Sequence, residues 1–167
     1  MVSVFWALGL RTSELTGLKA CSFETGHGKR IGLLRVRGKN KKQRALFVVD
    51  RLFDELIRYL SHPKAPNKKC APLFQADTKT TAISNNRVQR IVKDQAKKAG
   101  IVADVTPRAL RHSFATEMYH CGVPLSDIQV MMGHDSIADT SIYIHVSDKL
   151  KQMALDSIQI SRRFSWQ

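Results

Sequence analysis

From Thr106 to His145 the sequence reads TPRALRHSFATEMYHCGVPLSDIQVMMGHDSIADTSIYIH, which sets two arginines, several histidines and Tyr143 at fixed intervals. A phenol can supply an oxygen nucleophile, and guanidinium and imidazole groups can hold the charge of a five-coordinate phosphoryl transition state. Tyr143, with Arg111 and His134, therefore suggests breaking and rejoining a phosphodiester covalently, without a metal. A free phenol titrates near ~10, so attack at neutral pH needs positive charge close by, which these residues and Arg11 would provide. Tyr59 and Tyr119 lack such surroundings and read as packing residues. His112, adjacent to Arg111, is a candidate hydrogen-bonder behind it, and His145 a candidate contact beside Tyr143. The histidines and cysteines form no zinc spacing, so no metal or other cofactor is expected.

Charge agrees with that chemistry. The 167 residues hold 27 Lys plus Arg against 14 Asp plus Glu, a net charge of +13, which favours a polyanionic partner. At 43% hydrophobic residues the chain can bury one core, and its length argues against two full domains. No apolar run approaches the roughly 20 residues that span a bilayer, and the first residues read as no leader, so a cytoplasmic protein with no membrane partner is expected. Cys21, Cys70 and Cys121 are odd in number and in no paired motif, which favours reduced thiols.

The elements that must position these residues can be read in order. Val4 to Leu18 is helical, with a break at Gly9 that starts a second helix at Arg11; Glu14 falls on the same face and can orient that guanidinium. Two β-like runs, IGLLRV and RALFVV, flank a polar segment around Gly38 and predict a β-hairpin within residues 30–49. Its tip region carries Arg35, Arg37, Lys39, Lys41, Lys42 and Arg44 without an acid, a density suited to phosphate contact. Asp50 is a candidate N-cap for a helix through Leu60, and the proline- and lysine-rich stretch after it reads as a surface loop. A helix from Asn85 to Ala99, closed by Gly100, places Val88, Ile91, Val92, Gln95 and Ala99 on one face. Arg87 and Arg90 lie off that face, where they either track a DNA backbone or are simply solvated. Thr106 and Pro107 start a helix that Gly122 ends, with Leu110, Phe114 and Met118 toward the core. A short helix from Ser126 to Met132 turns at Gly133, a further helix carries Tyr143, and an apolar and basic tail follows.

Five pieces in this order and spacing resemble the catalytic domain of the tyrosine recombinases, or phage-type integrases: GLRTSEL around Arg11, RVRGKNKKQR around Lys39, TPRALRHSFAT around Arg108 and Arg111, MMGH ending at His134, and DTSIYIHV around Tyr143. The resemblance covers nearly the whole chain. It implies a mainly α-helical α+β fold with a small antiparallel sheet. It also implies a site-specific recombinase that cleaves double-stranded DNA through a 3′-phosphotyrosyl link at Tyr143, with four protomers assembled on DNA. Arg11 and Arg111 would clamp the scissile phosphate, a task for which a planar guanidinium with paired donors is suited. His134 would bond a non-bridging oxygen, and a hairpin lysine would protonate the leaving 5′ oxygen. The residues themselves do not separate Lys39 from Lys41 and Lys42; the motif register favours Lys39, with Lys41, Lys42, Arg35, Arg37, Arg44, Arg87 and Arg90 as DNA contacts.

Two departures stand out. Arg108 occupies a position where the family usually has histidine, and arginine stays charged and can scarcely accept a proton, so it is expected to act electrostatically. Arg11 lies almost at the start of the chain, so residues 1–167 are expected to be an N-terminally short catalytic domain without the separate core-binding domain, either a compact form or a fragment. The tail after Tyr143 would dock on a neighbour in trans or pack on its own core. The other readings are a DNA-binding relative that does not cut, and an enzyme like the type IB topoisomerases, which relaxes supercoils without exchanging partners.

Overall fold

In the computed structural model, which describes residues 1–26, 30–38, 42–63, 65–66, 70–76 and 81–133, helix α1 (Val2–Leu8) ends at Gly9 and α2 (Thr12–Thr16) begins after Arg11. Gly9 has φ +57, and a Cβ there would lie 2.4 Å from the Phe114 ring. Glycine is therefore required twice, for the left-handed cap and for the close approach of a helix.

A 3₁₀ turn (Ala20–Ser22) leads into a three-stranded antiparallel sheet, ordered β1-β2-β3, of β1 (Phe23–Glu24), β2 (Ile31–Arg37) and β3 (Gln43–Val49). The hairpin runs in unbroken register from Ile31↔Val49 to Arg37↔Gln43, and β1 pairs Phe23↔Leu34. The short β1 is an addition to the predicted hairpin; two residues carry too little alternation to be read as a strand. One face turns inward with Leu34, Val36, Leu46 and Val48, and Arg44 shares it.

Helix α3 (Asp50–Leu60) follows directly. Asp50 is its first residue, with φ +46, and the N-cap is Val49, so the expected Asp50 side-chain cap is not made. Helix α4 (Asn85–Lys98) is capped by Ser84, whose hydroxyl accepts from the Arg87 amide, and Gly100 follows with φ +71. Its buried positions are Val88, Val92 and Ala96; the expected Gln95 and Ala99 are exposed, because the helix meets the core one residue further round than the sequence face implied. Helix α5 (Pro107–His120) has the predicted start, with Thr106 Oγ1 accepting from the Ala109 amide at 3.1 Å. Helix α6 (Leu125–Met132) closes on Gly133, φ +65.

The main core gathers α1, α2, the inner sheet face, α3 and α4 around Phe5, Leu15, Leu34, Val48 and Val92, and a second cluster joins α5 and α6 through Phe114, Met118, Ile128 and Met132. The fold is thus α+β and mainly helical, with a small antiparallel sheet. Tyr59 packs as expected, its ring against Phe74 and its hydroxyl donating to Leu73 O at 2.8 Å, but Tyr119 is 63% exposed because it points off the buried Phe114–Met118 stripe. Among the described residues no helix is long and apolar enough to cross a membrane, and no three His, Cys, Asp or Glu side chains are grouped to hold a metal.

Candidate active site

Glu14 organises the site. Its carboxylate is 3% exposed, on the first turn of α2, where the helix dipole favours negative charge. The Arg11 amide donates to Oε2 at 2.8 Å and its guanidinium to Oε1 at 3.2 Å. Arg44 reaches in from β3 and binds the same carboxylate in a fork, Nη1 to Oε1 at 2.6 Å and Nη2 to Oε2 at 2.9 Å. Arg111 comes from α5 and approaches Oε2 to 3.7 Å, an ion-pair distance rather than a hydrogen bond.

Arg111 is held mainly by backbone. It donates to Gly9 O and to Met132 O, each at 2.6 Å, one carbonyl at the end of α1 and the other at the end of α6. Carbonyls at helix C-termini lack partners within the helix and carry partial negative charge, so one guanidinium satisfies two helix ends and sets α1, α5 and α6 against one another. Gly133, which follows Met132, lies against Arg44: a Cβ there would sit 2.7 Å from Nη1. The Arg44 Nε is buried with no acceptor among the described residues.

Three guanidinium charges therefore surround one carboxylate, leaving a net of two positive charges (three minus one) in a poorly hydrated pocket. Burial, with Arg11 close by, pushes the Arg111 guanidinium down to about 10, although Glu14 works in the opposite direction. Burial alone would raise the Glu14 carboxyl, but the hydrogen bonds and charges of Arg44 and Arg11 outweigh it and hold it below the usual range. An anion with tetrahedral oxygens would relieve this surplus. Arg11, whose side chain keeps 34% of its exposure, leaves an opening to solvent.

The predicted residues separate into groups. Arg11 and Arg111 come together from positions a hundred residues apart in sequence. Arg108 is exposed one turn away, and its Nε donates to His112 Nε2 at 3.3 Å; His112 thus bonds Arg108 rather than backing Arg111 as expected, because its side chain leaves α5 on the solvent side. Arg44, expected at a DNA surface, is only 6% exposed and committed to Glu14, because its strand parity matches Leu46 and Val48. Arg35 is exposed and paired with Glu24 at 2.7 Å, while Arg37, Lys42, Arg87 and Arg90 are exposed. Lys39, Lys41, His134, Tyr143 and His145, the helix assigned to Tyr143 and the tail lie outside the described residues.

Similarity to known proteins points the same way. The model of the phage integrase family matches residues 1–149. Tyrosine recombinase XerC of Thermodesulfovibrio yellowstonii is 35% identical over 155 residues, covering 89% of this chain and 50% of the relative. XerC of Chlamydia pneumoniae is 30% identical over 154 residues, covering 91% and 48%. The chain thus spans about half the length of the curated relatives it matches. Among solved structures, XerA recombinase aligns with a TM-score of 0.67 at 29% identity over 98% of this chain and 57% of that one. The XerH site-specific recombinase bound to its difH substrate aligns with a TM-score of 0.68 at 25% identity, over 92% and 44%. With the arginine cluster built from the same motif residues, these matches establish that the chain belongs to the phage integrase family, the tyrosine recombinases.

Proposed function

We propose that residues 1–167 are the catalytic domain of a site-specific recombinase that breaks and rejoins double-stranded DNA through a 3′-phosphotyrosyl link at Tyr143. The observation that carries this reading is the cluster of Arg11, Arg44 and Arg111 on the buried Glu14, whose surplus positive charge suits a phosphodiester. Arg11 and Arg111 would neutralise the non-bridging oxygens as the phosphorane forms, since charge that grows in the transition state gains most from fixed donors in a desolvated site. His134 would add a further donor to those oxygens.

In the reaction the Tyr143 oxygen attacks phosphorus and the bond to the 5′ oxygen breaks. Lys39 supplies the proton that the departing 5′ hydroxyl needs. The phenol proton passes to a base other than Arg108, whose guanidinium stays charged and contributes electrostatically. Attack by a 5′ hydroxyl from the partner strand reverses these steps and releases Tyr143. The phosphoester bond is conserved throughout, so no nucleotide cofactor is consumed. Strand exchange between two duplexes calls for four protomers, and an oligomer on DNA is part of this proposal.

A pool of nicked duplexes with randomised cores, in which the strand beyond the cut diffuses away, tests the reading. The expected result is a covalent protein–DNA adduct that Tyr143→Phe abolishes. Binding without an adduct would make the chain a DNA-holding relative, and relaxation of a separate closed supercoiled plasmid without a joined product would make it topoisomerase-like.

A further inference from the structure

We propose that Cys21 and Cys70 form a redox-active dithiol that closes to an intramolecular disulfide, tying the segment after α2 to the segment after α3. Their sulfurs lie 3.9 Å apart although 49 residues separate them in sequence. Both carry free thiols, Cys21 half-buried in the 3₁₀ turn and Cys70 exposed, so a soluble oxidant can reach the pair.

The backbone ties the two segments together next to the thiols. Lys19 and Pro72 form an antiparallel bridge, flanked by bonds from the Ala20 amide to Ala71 O (2.9 Å) and from the Leu73 amide to Leu18 O (2.8 Å). That pattern makes Lys19/Pro72 a non-hydrogen-bonded pair; from it the chain enters the 3₁₀ turn at Ala20–Ser22, which brings the Cys21 sulfur beside that of Cys70. The Cα atoms of such a pair lie about 4.5 Å apart, so Lys19 and Pro72 hold the two segments close two residues from each thiol. The clamp has a firm base: Leu18 and Leu73 are buried, and the Leu73 carbonyl accepts from Tyr59. Closing the bond brings the sulfurs from 3.9 Å to the roughly 2.05 Å of a disulfide.

The step balances with a disulfide oxidant such as oxidised glutathione. One cysteine thiolate attacks a glutathione sulfur and expels one glutathione thiol. The second cysteine then attacks the mixed disulfide and expels the other, so two cysteine thiols are oxidised and two glutathione thiols form. The bond would enclose all three strands and α3, and would fix the chain as it leaves α2, the helix that carries Glu14. The inference does not rest on the DNA chemistry.

The test incubates the 167-residue chain across ratios of oxidised to reduced glutathione, quenches with acid and alkylates the remaining thiols. The expected result is a fall from three alkylatable cysteines to one, Cys121, with a non-reduced peptide linking Cys21 to Cys70. Cys121→Ser should behave in the same way, and the oxidised chain should melt at a higher temperature than the reduced one, a rise absent from Cys21→Ser and Cys70→Ser. Three alkylatable thiols at every ratio, stable glutathione adducts on single cysteines, a link that includes Cys121, or a link only between chains would overturn the proposal.

Discussion

Two sets of arginines divide this molecule. Arg44 and Arg111 are buried among helix ends and a carboxylate, whereas Arg37, Arg87 and Arg90 stand in solvent on β2 and α4. The residue type is the same, but the cost of its charge is not. An exposed guanidinium is solvated whether or not an anion arrives. A buried one gives up its water in advance, so its interaction with an arriving phosphate is stronger and its loss is felt by the fold. Glu14 makes this arrangement possible by offsetting one of three charges, and it leaves the remainder for a ligand.

The sharpest way to break the inner set is Glu14→Gln. Removing one partner of a buried ion pair leaves the other uncompensated, here two guanidinia at once, and costs about 3–5 kcal/mol. Urea unfolding at pH 7 checks this, and the double variant with Arg44→Met should recover part of the loss. The effect also has a pH signature. Because the folded Glu14 sits below its usual value of 4.5, the unfolded state binds more protons in that window and stability rises with pH through it. The contribution is complete above about 4.5 and is lost as pH falls through the depressed folded value, so the gap between wild type and Glu14→Gln should narrow in acid. A gap of equal size at pH 7 and pH 3 would remove Glu14 from the centre of the cluster.

Arg111→Met should separate function from stability. Losing a donor aimed at developing charge costs roughly 10²–10³ in rate, measured as adduct formation on nicked DNA. The fold should lose less than with Glu14→Gln, because the variant also removes a buried cation that is pushed down to about 10 by its surroundings. If Arg111→Met unfolds the chain more readily than Glu14→Gln, its two carbonyl bonds matter more than its charge.

The unequal legibility of the two sets follows from their physics. Helix starts at Thr106–Pro107 and stops at Gly9, Gly122 and Gly133 are local signals, so α1, α2, α5 and α6 could be read from sequence. Arg11 and Arg111 were marked by motif. The bond from Arg11 to Glu14 was legible as an i, i+3 pair, but the recruitment of Arg44 crosses 30 residues. Composition grouped Arg44 with the hairpin cations, yet its alternation with Leu46 and Val48 already placed it on the inward face. The Arg111 contacts with Gly9 and Met132 carbonyls leave no trace in side-chain pattern at all, since the acceptors are backbone.

A smaller effect tests how tightly the inner set is fitted. Gly133→Ala must hold a left-handed φ and place a Cβ 2.7 Å from Arg44 Nη1. The strain alone costs about 1–3 kcal/mol. A free arginine would simply swing away, but Arg44 can yield only by loosening its fork on Glu14. In an Arg44→Met background the cost should shrink to the backbone strain, and a double-mutant cycle measures the difference. Additive effects would mean that Gly133 and Arg44 are neighbours without being coupled.

The smallest effects belong to the outer set. Arg87→Gln and Arg90→Gln change exposed side chains on α4, so thermal unfolding should stay near wild type. If these side chains meet phosphate, each loss should weaken binding evenly across sequences and lower the slope of log affinity against log salt by about 1. DNA binding measured at several salt concentrations reads that slope directly. An unchanged slope would make this face of α4 an ordinary solvated surface, and the exposed hairpin cations Arg37 and Lys42 would be the next to substitute.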